Sequence, residues 1–335
     1  MTSVFVTHPR DRLDLYFGAR ATQALQALAG ISELRFNPEA RELSVGELAV
    51  AACGCEALIA YRQTPAPRAL FEALPALNAF LRCAVDIRSV DLDAADAHGV
   101  LVTQASAGYV PAVCEWVVAA MVSLGRGLHR YAEGFHRDQA LAPFVGRELR
   151  GSALGIVGFG QIGQRLGEIA RAFGMRVLVT TPQPLGAQEG VEQVPFATLL
   201  ANSDFVVCLA AANAQTDKLM GDDAFASMRP DAFFINASRG ELVDDTALLR
   251  ALDEALIAGC ALDVGREPDQ MPSAILARHP LVLATPHIGG LTQTAVEHQA
   301  LETVAQLAAL LSGEVPAGAV NAAKATRIER WRSPR

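Results

Sequence analysis

The sequence predicts an α/β protein with two doubly wound parallel-sheet domains. Short aliphatic runs alternate with helical stretches along most of the chain, and this order is typical of parallel strands covered by helices. The 335 residues are enough for about two domains. Hydrophobic side chains make up 51% of the chain and aromatic ones only 6%, so small aliphatic residues must fill the cores.

The first hundred residues contain the first strand–helix series. Apolar runs predict strands over residues 4–7, 33–36, 57–61, 80–85 and 100–103. Helical spacing predicts helices over residues 13–29, 45–53 and 91–98. Ser44 and Glu47 form a capping box at the start of the second helix, whereas Gly30 and Gly99 end the first and the third.

The rest of the chain contains a long apolar helix and a second strand–helix series. The helix is predicted over residues 113–128, and a less regular stretch follows to residue 150. Strands are predicted over residues 153–157, 176–180, 205–209, 232–236, 260–264 and 281–284, and helices over residues 162–173, 222–228, 244–258 and 291–311. The tail from Lys324 is basic, and we expect it to be solvated and partly frayed.

Charge and composition argue against several functional classes. The formal net charge of −8 disfavours a nucleic-acid partner. The most apolar segment is interrupted by Glu115 and is too short to span a bilayer, so no membrane contact is expected. The first residues lack an apolar signal core, so the expected location is the cytoplasm. Sparse cysteines without a His/Cys cluster predict reduced thiols and no metal.

A glycine-rich turn predicts a dinucleotide site. It follows the apolar run 154–157 and opens a helix, with the residues Gly158, Phe159, Gly160, Gln161, Ile162 and Gly163 in a G-x-G-x-x-G pattern. The first glycine permits a tight turn, the second lets backbone approach a pyrophosphate, and the third lets the helix pack close to the strand. The N-terminus of the helix favours the phosphates.

The cofactor preference depends on the end of the next strand. An acidic residue there would bond the ribose hydroxyls of NAD, but Thr181 occupies that point and no Asp or Glu is near it. A 2′-phosphate is then not repelled, and without an adjacent Arg it is not strongly attracted either. The choice between NAD and NADP stays open, with tolerance of NADP slightly favoured.

Several motifs resemble the D-isomer-specific 2-hydroxyacid dehydrogenase family. They are the run 146–163, Ala172-Phe-Gly-Met175, Asn236-Ala-Ser-Arg239-Gly240, Ala261-Leu-Asp263-Val264, Glu267-Pro268 and Thr285-Pro-His287-Ile-Gly-Gly290. They occur in the family's order, most strongly between about residues 100 and 290. The resemblance implies a Rossmann NAD(P)-binding domain over residues 104–288, inserted in a flavodoxin-like substrate domain formed by residues 1–103 and 289–335. It also implies a substrate site between the domains and a homodimer whose contact is a helix and arm over residues 109–150.

The residue chemistry points to hydride transfer to a 2-keto acid. Arg239 follows a predicted strand, and its guanidinium can grip a carboxylate through two hydrogen bonds. His287 lies in another strand-end turn and can give or take a proton near neutrality. Glu267 is the candidate carboxylate that raises the pKa of this imidazole. The resemblance implies the same three catalytic roles, although the short Gly265-Arg266 link leaves the register of Glu267 with His287 open.

The resemblance extends the list of candidate binding residues. Asp263 would face the nicotinamide carboxamide, with a strand-end cap as the alternative role. The other cofactor candidates are Thr181, Ala237, Ser238, Gly289 and Gly290. The substrate candidates are Arg62, Val85 and Asp86. The family commonly has a glycine-rich loop at residues 84–91, and here Asp86 and Arg88 bring charges instead.

Taken together, these residues predict an NAD(P)-dependent oxidoreductase that interconverts a 2-keto acid and a D-2-hydroxy acid. A glyoxylate-, hydroxypyruvate- or phosphoglycerate-like substrate is expected. An enzyme similar to phosphoglycerate dehydrogenases is one alternative, although many of those carry a C-terminal regulatory domain. Formate dehydrogenases typically pair their His with Gln and are disfavoured. A dinucleotide-sensing binding protein of corepressor type could keep the same residues, and turnover would separate it from an enzyme.

Overall fold

The chain forms two compact units, each with its own parallel sheet. The structure is a computed structural model that describes residues 1–186, 188–267 and 270–332. One unit comprises Met1–Tyr109 with Thr292–Arg335, and the other comprises Val110–Leu291. The predicted α/β class with two parallel sheets is confirmed.

The strands follow the predicted aliphatic runs closely. Those of the first unit are β1 (Thr2–Val6), β2 (Ser32–Phe36), β3 (Ala57–Ala60), β4 (Ala79–Arg82) and β5 (Leu101–Gln104). Those of the second are β6 (Ala153–Val157), β7 (Arg176–Thr180), β8 (Val191–Gln193), β9 (Phe205–Cys208), β10 (Phe233–Asn236), β11 (Gly259–Leu262) and β12 (Val282–Ala284). The short β8 was not predicted, because its Val-Glu-Gln sequence has no apolar run.

The helices connect and cover these strands. In the first part of the chain they are α1 (Leu13–Tyr16), α2 (Ala19–Gln26), α3 (Val45–Ala51), α4 (Arg68–Ala73), α5 (Leu92–Ala97), α6 (Val110–Arg126) and α7 (Leu128–His136). They continue as α8 (Gln161–Ala172), α9 (Phe196–Asn202), α10 (Asp222–Ala226), α11 (Asp245–Asp253), α12 (Ala274–Ala277), α13 (Gln293–Leu311) and α14 (Glu329–Arg332). The predicted capping box of Ser44 and Glu47 begins α3.

The first unit has a sheet of strand order β2-β1-β3-β4-β5, with a buried apolar layer on each face. Alternate residues of β1 pack into the two layers: Val4 and Val6 belong to one apolar cluster, and Phe5 belongs to the other. α2 and α13 cover the first layer, whereas α3, α4 and α5 cover the second. Burial on both faces explains why these strands are aliphatic throughout.

The second unit has the strand order β12-β11-β10-β9-β6-β7-β8. The chain enters at β6, builds outwards through β7 and β8, and then returns to the other side of β6 with β9. The order therefore reverses between β6 and β9. Doubly wound sheets bind ligands at the carboxyl ends of the strands beside such a reversal, so the expected ligand edge lies after β6, β9 and β10.

Two predicted helices and one predicted irregular stretch differ from the structure. The helix predicted over 13–29 is broken at Gly18, whose φ of 82° separates α1 from α2. The region after residue 128 is not irregular at first, because Gly127 in the left-handed conformation turns the chain by 71° into α7. The helix predicted over 244–258 ends with α11, since Ala255 has a φ of 53°. In the described part of the chain no single helix is long and apolar enough to cross a membrane, and only the bent pair α6 and α7 meets that test jointly.

The predicted tail is solvated at Lys324, Glu329 and Arg330, but the prediction that it frays was wrong for residues up to 331. Arg327 donates hydrogen bonds to the carbonyl oxygens of Pro75 and Leu77, at 3.0 and 2.8 Å. Trp331 is buried, and its indole N–H donates to the Thr2 hydroxyl at 3.2 Å. The tail is held because Arg327 meets backbone acceptors, Arg330 pairs with Glu56, and the indole of Trp331 joins the apolar layer of the first unit. Residues 333–335 lie outside the described residues.

Candidate cofactor-binding and catalytic site

The three glycines of the predicted phosphate turn have three different surroundings. Gly158 has a φ of 92°, and a Cβ there would lie 2.6 Å from the Cα and N atoms of Ala210. A Cβ on Gly163 would lie 2.7 Å from the carbonyl oxygen of Gly158. Gly160 has no heavy atom within 4 Å of its Cβ position, and no side chain caps α8, which begins after it. The turn thus offers open space and free helix N–H groups to a pyrophosphate, and its residues fit a dinucleotide.

The loop after β7 is shaped by a residue that sequence reasoning missed. The Gln193 Nε2 donates to the carbonyl oxygens of Thr181 and Gln183, each at 3.1 Å, and its Oε1 accepts from the Leu185 N–H at 2.8 Å. Thr181 therefore sits in a loop fastened through its backbone. The signal for Gln193 was absent, because its contacts come from the unpredicted strand β8.

The Arg239 turn is built on a buried amide at the end of β10. The Asn236 Oδ1 accepts from the Ser238 N–H at 3.1 Å, and its Nδ2 donates to the Arg239 carbonyl at 2.9 Å. The Ser238 hydroxyl donates to the carbonyl of Ala210, beside the phosphate turn, at 2.5 Å. A Cβ on Gly240 would lie 2.1 Å from the carbonyl carbon of Gly265. These contacts explain the Asn-Ala-Ser-Arg-Gly sequence and hold Arg239 at the carboxyl edge of the sheet.

The His287 turn is fastened to Asp263, which is only 3% exposed and follows β11. One carboxylate oxygen of Asp263 accepts from the Thr285 hydroxyl at 2.6 Å and from the Ile288 N–H at 2.8 Å. The other accepts from the Gly289 N–H at 2.7 Å. His287 itself has a φ of 56°, a left-handed conformation that costs an L-residue about 1–2 kcal/mol. The strand-end cap that was the alternative role of Asp263 is therefore present.

The loop that carries Glu267 folds back on itself. The Glu267 N–H donates to the Met271 carbonyl at 3.2 Å, and its carbonyl accepts from the Gln270 N–H at 2.9 Å. The side chain is exposed, and Pro268 of the Glu-Pro motif lies outside the described residues. Burial raises the pKa of Asp245 nearby, and the charge of Glu267 adds to that rise. The pairing of Glu267 with His287 stays a prediction.

In the first unit, a buried arginine fastens the loops that contain the substrate candidates. Arg82 donates to the carbonyl oxygens of Tyr61, Thr64 and Asp86, at 3.0, 2.6 and 3.1 Å, and also to that of Arg62. Burial lowers the pKa of Arg82 to about 10, so it remains charged at neutral pH. The loops after β3 and β4 are thus joined by one cation, which sequence reasoning missed because its acceptors are backbone atoms.

The charges predicted in these loops interact locally. Asp86 pairs with Arg88 at 2.9 Å, and the Arg62 guanidinium lies 5.0 Å from the centre of the Tyr16 ring. Val85 is half-buried beside Asp86. The structure therefore gathers Val85, Asp86 and Arg62 at the carboxyl ends of β3 and β4, where a parallel sheet presents its ligand-facing loops.

No metal centre is found among the described residues, in which no three His, Cys, Asp or Glu side chains converge as ligands. Burial raises the pKa of Cys208, the cysteine at the end of β9, to about 12. That thiol is therefore neutral and acts as a packing residue of the second unit.

Comparison with known proteins identifies the family to which the chain belongs. The family model for the NAD-binding domain of D-isomer specific 2-hydroxyacid dehydrogenases matches residues 118–289. A glyoxylate reductase of Thermococcus litoralis is 34% identical over 278 residues, which cover 79% of this chain and 83% of that protein. The chain belongs to the D-isomer specific 2-hydroxyacid dehydrogenase family. The matched residues lie within its second unit and include the phosphate turn and the turns of Arg239 and His287.

Further comparisons show relatives of greater length and a solved structure of similar fold. D-3-phosphoglycerate dehydrogenase 3 of Arabidopsis thaliana, a chloroplastic protein, is 33% identical over 286 residues, or 84% of this chain and 49% of that protein. The chain thus spans about half the length of the phosphoglycerate dehydrogenases it matches. Among solved structures, the TT0316 protein from Thermus thermophilus is 28% identical with a TM-score of 0.83, covering 95% of this chain and all of that one.

Proposed function

We propose that this family member is an oxidoreductase that interconverts a 2-keto acid and a D-2-hydroxy acid with NAD or NADP. One observation carries the proposal. A cation and an imidazole, Arg239 and His287, lie in turns after β10 and β12, on the carboxyl edge that also holds the glycine turn after β6. One sheet edge can therefore bind a substrate anion and a dinucleotide and also supply a proton donor.

Each residue has a proposed part in the reaction. A bound nicotinamide supplies or accepts the hydride at C2 of the substrate. The Arg239 guanidinium holds the substrate carboxylate and polarises the 2-keto oxygen. The His287 imidazole gives its proton to the forming alkoxide oxygen during reduction and removes it during oxidation. Glu267 is proposed to stabilise the imidazolium, which sets the pH range of the reaction.

The proposed cofactor contacts follow from the turns. The open space at Gly160 and the first N–H groups of α8, from Gln161 onwards, would hold the pyrophosphate. Thr181 would lie at the adenosine ribose. The remaining proposed contacts are Phe159, Ile162, Ala237, Ser238, Gly289 and Gly290. The substrate is proposed to be a small acid of the glyoxylate, hydroxypyruvate or phosphoglycerate type, bound in part by Arg62, Val85 and Asp86.

A homodimer is also proposed. α7 and the segment that follows it expose several large apolar side chains, namely Leu128, Phe135, Leu141, Phe144 and Val145. Exposed apolar clusters of this kind mark interfaces. The stacked rings of Tyr131 and Phe144 and the ion pairs of Arg147 with Asp204 and Asp231 give this segment a defined shape.

Turnover tests the function directly. The oxidation of NADH and of NADPH should be followed with a panel that contains glyoxylate, hydroxypyruvate, 3-phosphohydroxypyruvate and pyruvate. We expect at least one acid to be reduced with a kcat of about 1 s⁻¹ or more, which is ordinary for an enzyme. Cofactor binding without turnover of any acid would reject the proposal and favour the dinucleotide-sensing alternative.

A further inference from the structure

A short link leads from β11 to Glu267. Only two residues, Gly265 and Arg266, lie between the buried Val264 and Glu267. A Cβ on Gly265 would lie 2.4 Å from the Met271 carbonyl oxygen, so the chain turns there in a space that only glycine fits. In so short a link, the direction of the Glu267 side chain depends on how the residue before it is held.

The side chain of Arg266 is held by three acceptors of the second unit. Its Nε donates to the Val243 carbonyl at 3.3 Å, and one terminal nitrogen donates to the Glu241 carbonyl at 2.7 Å and to the Asp217 carboxylate at 2.9 Å. A lone exposed ion pair contributes little, but a guanidinium that meets several acceptors at once has a defined geometry. The Arg266 side chain, which is only 37% exposed, therefore anchors the link.

Two of these acceptors belong to the turn of Arg239. Glu241 lies in the short 3₁₀ helix that follows Arg239, and Val243 comes directly after that helix. A Cβ on Gly240 would lie 2.1 Å from the carbonyl carbon of Gly265, so the two backbones touch beside the guanidinium. The side-chain bonds and this backbone contact join the short link to the turn of the proposed substrate cation.

The backbone beyond Glu267 is held by the loop itself. The Gly265 N–H donates to the Gln270 carbonyl at 2.7 Å, and the Glu267 N–H donates to the Met271 carbonyl at 3.2 Å. These bonds close the loop but connect it to no other element. Its orientation relative to the sheet therefore depends on the contacts of the link.

We propose that Arg266 is a positioning residue, which directs the Glu267 carboxylate by fastening the link before it to Asp217 and to the turn of Arg239. This inference rests on the proposed function, in which Glu267 stabilises the imidazolium of His287. In this role Arg266 acts through Glu267 and makes no contact with substrate or cofactor.

Charge and position give opposite predictions for the removal of the Arg266 side chain. A cation lowers the pKa of a nearby imidazole, so loss of the charge alone would raise the pKa of His287. A displaced Glu267 would lower that pKa, because the imidazolium would lose its carboxylate. The protonated imidazole is the proposed acid in reduction, so the pH at which kcat falls to half its maximum moves in the same direction as this pKa.

The test uses Arg266→Ala, Arg266→Lys, Glu267→Gln and the double variant Arg266→Ala/Glu267→Gln. The control is Arg250→Ala, which removes an arginine of α11 from an ion pair with Asp222 at 2.8 Å, close to the 2.9 Å of the pair that Arg266 forms. For each protein, kcat and KM for the 2-keto acid are measured between about pH 5 and 9. Hydrogen exchange is measured in the peptide that contains the Gly265 and Glu267 amides. The other charged groups of these turns are the same in every variant, namely Asp217, Lys218, Arg239, Glu241, Asp244, Asp245 and Asp263.

We expect Arg266→Ala to lower kcat about 10-fold and to lower the pH of half-maximal kcat by about 0.5 pH unit or more, with KM within about threefold of wild type. Arg266→Lys should act in the same direction but less, because one ammonium group cannot replace the fork of donors. In the Glu267→Gln background, Arg266→Ala should add little, since both changes act through one carboxylate. Exchange of the two amides should become faster in both Arg266 variants and stay unchanged in Arg250→Ala.

Three results would overturn the inference. The first is a rise in the pH of half-maximal kcat in Arg266→Ala, which assigns the effect to charge alone. The second is a full additional loss of kcat when Arg266→Ala is combined with Glu267→Gln. The third is a higher KM with an unchanged kcat, which assigns the effect to the turn of Arg239. If Arg266→Ala does not fold, Arg266→Lys gives the same comparisons.

The exchange measurement separates this inference from the proposed function. If the wild-type protein reduces no 2-keto acid, the proposed function fails, whereas faster exchange in the Arg266 variants still shows that this side chain holds the link. Exchange that is unchanged in Arg266→Ala would overturn the inference whether or not the protein is an enzyme.

Discussion

The phosphate turn gives a sharp prediction, because alanine substitutions at two of its glycines should affect different properties of the protein. Gly160→Ala places a methyl group in open space at a residue whose φ of −74° suits alanine. Gly158→Ala places the same methyl group 2.6 Å from the backbone of Ala210 at a φ of 92°. The first change should therefore damage cofactor binding and the second should damage stability.

The magnitudes follow from these contacts. A positive φ costs an alanine about 1–2 kcal/mol, and overpacking against fixed backbone costs about 1–3 kcal/mol more. The free energy of unfolding should then fall by about 2–5 kcal/mol for Gly158→Ala. For a unit the size of Val110–Leu291, this lowers Tm by about 4–20 °C. Gly160→Ala should keep the free energy of unfolding within about 1 kcal/mol of wild type, because the gain from replacing glycine offsets a weaker helix cap.

Differential scanning calorimetry and fluorescence titration with NADH and NADPH measure both quantities. Gly160→Ala should keep its Tm but raise the cofactor Kd at least tenfold, or about 1.4 kcal/mol, since its methyl group occupies the space for the pyrophosphate. An unchanged Kd for both cofactors in Gly160→Ala would refute the phosphate site. An unchanged Tm in Gly158→Ala would refute the geometry of the turn.

Three further predictions concern pH, cofactor choice and assembly. Burial lowers the pKa of His8 to about 3, so between pH 6.5 and 3 the unfolded chain binds a proton that the folded chain does not. As the pH falls through this range, the free energy of unfolding should fall by about 1.4 kcal/mol per pH unit. In denaturant titrations at several pH values, His8→Phe should remove that part of the slope. Thr181→Asp should raise the Kd for NADPH at least tenfold relative to that for NADH, because a carboxylate at the ribose repels a 2′-phosphate. Phe135→Glu should convert a dimer to a monomer in light scattering, because it puts a charge in the exposed apolar cluster that includes Val145.

Each of these predictions has its own control. If the free energy of unfolding changes with pH equally in wild type and in His8→Phe, burial does not lower the pKa of this histidine as expected. Equal effects of Thr181→Asp on both cofactors would remove the residue from the ribose site. Phe173→Glu changes a phenylalanine that is also exposed, although less so than Phe135, at the end of α8 and outside the cluster. Dissociation by that variant as well, or a monomeric wild type, would contradict the proposed interface.

The sheets were predictable because their signal is local. A strand buried on both faces must be a short aliphatic run, and the run over residues 176–180 has the same bounds as β7. The positive φ of Gly158 and the close packing at Gly163 were also predictable, since the first is a property of the turn itself and the second depends on the Gly158 carbonyl within the same turn. In the same way the capping box of Ser44 and Glu47 was predictable, because both of its residues lie within the first turn of α3.

The missed features depend on residues distant in sequence. The break at Gly18 is a tertiary effect, because the Glu297 side chain packs 3.3 Å from its Cβ position. Nothing in the sequence indicated that the C-terminal tail is held, because Arg327 finds its acceptors at Pro75 and Leu77, about 250 positions away. The turn of His287 could be placed after a strand, but its attachment to Asp263 spans more than 20 residues and appears only once β11 and β12 are paired.

The most direct test of the central claim is the configuration of the product. The wild-type protein should be incubated with the preferred prochiral 2-keto acid and reduced cofactor, and the 2-hydroxy acid should be resolved by chiral chromatography. We expect the D isomer, with turnover at least 100-fold lower in His287→Gln, because the alkoxide then lacks its proton donor. An L or racemic product, or full activity in His287→Gln, would contradict it.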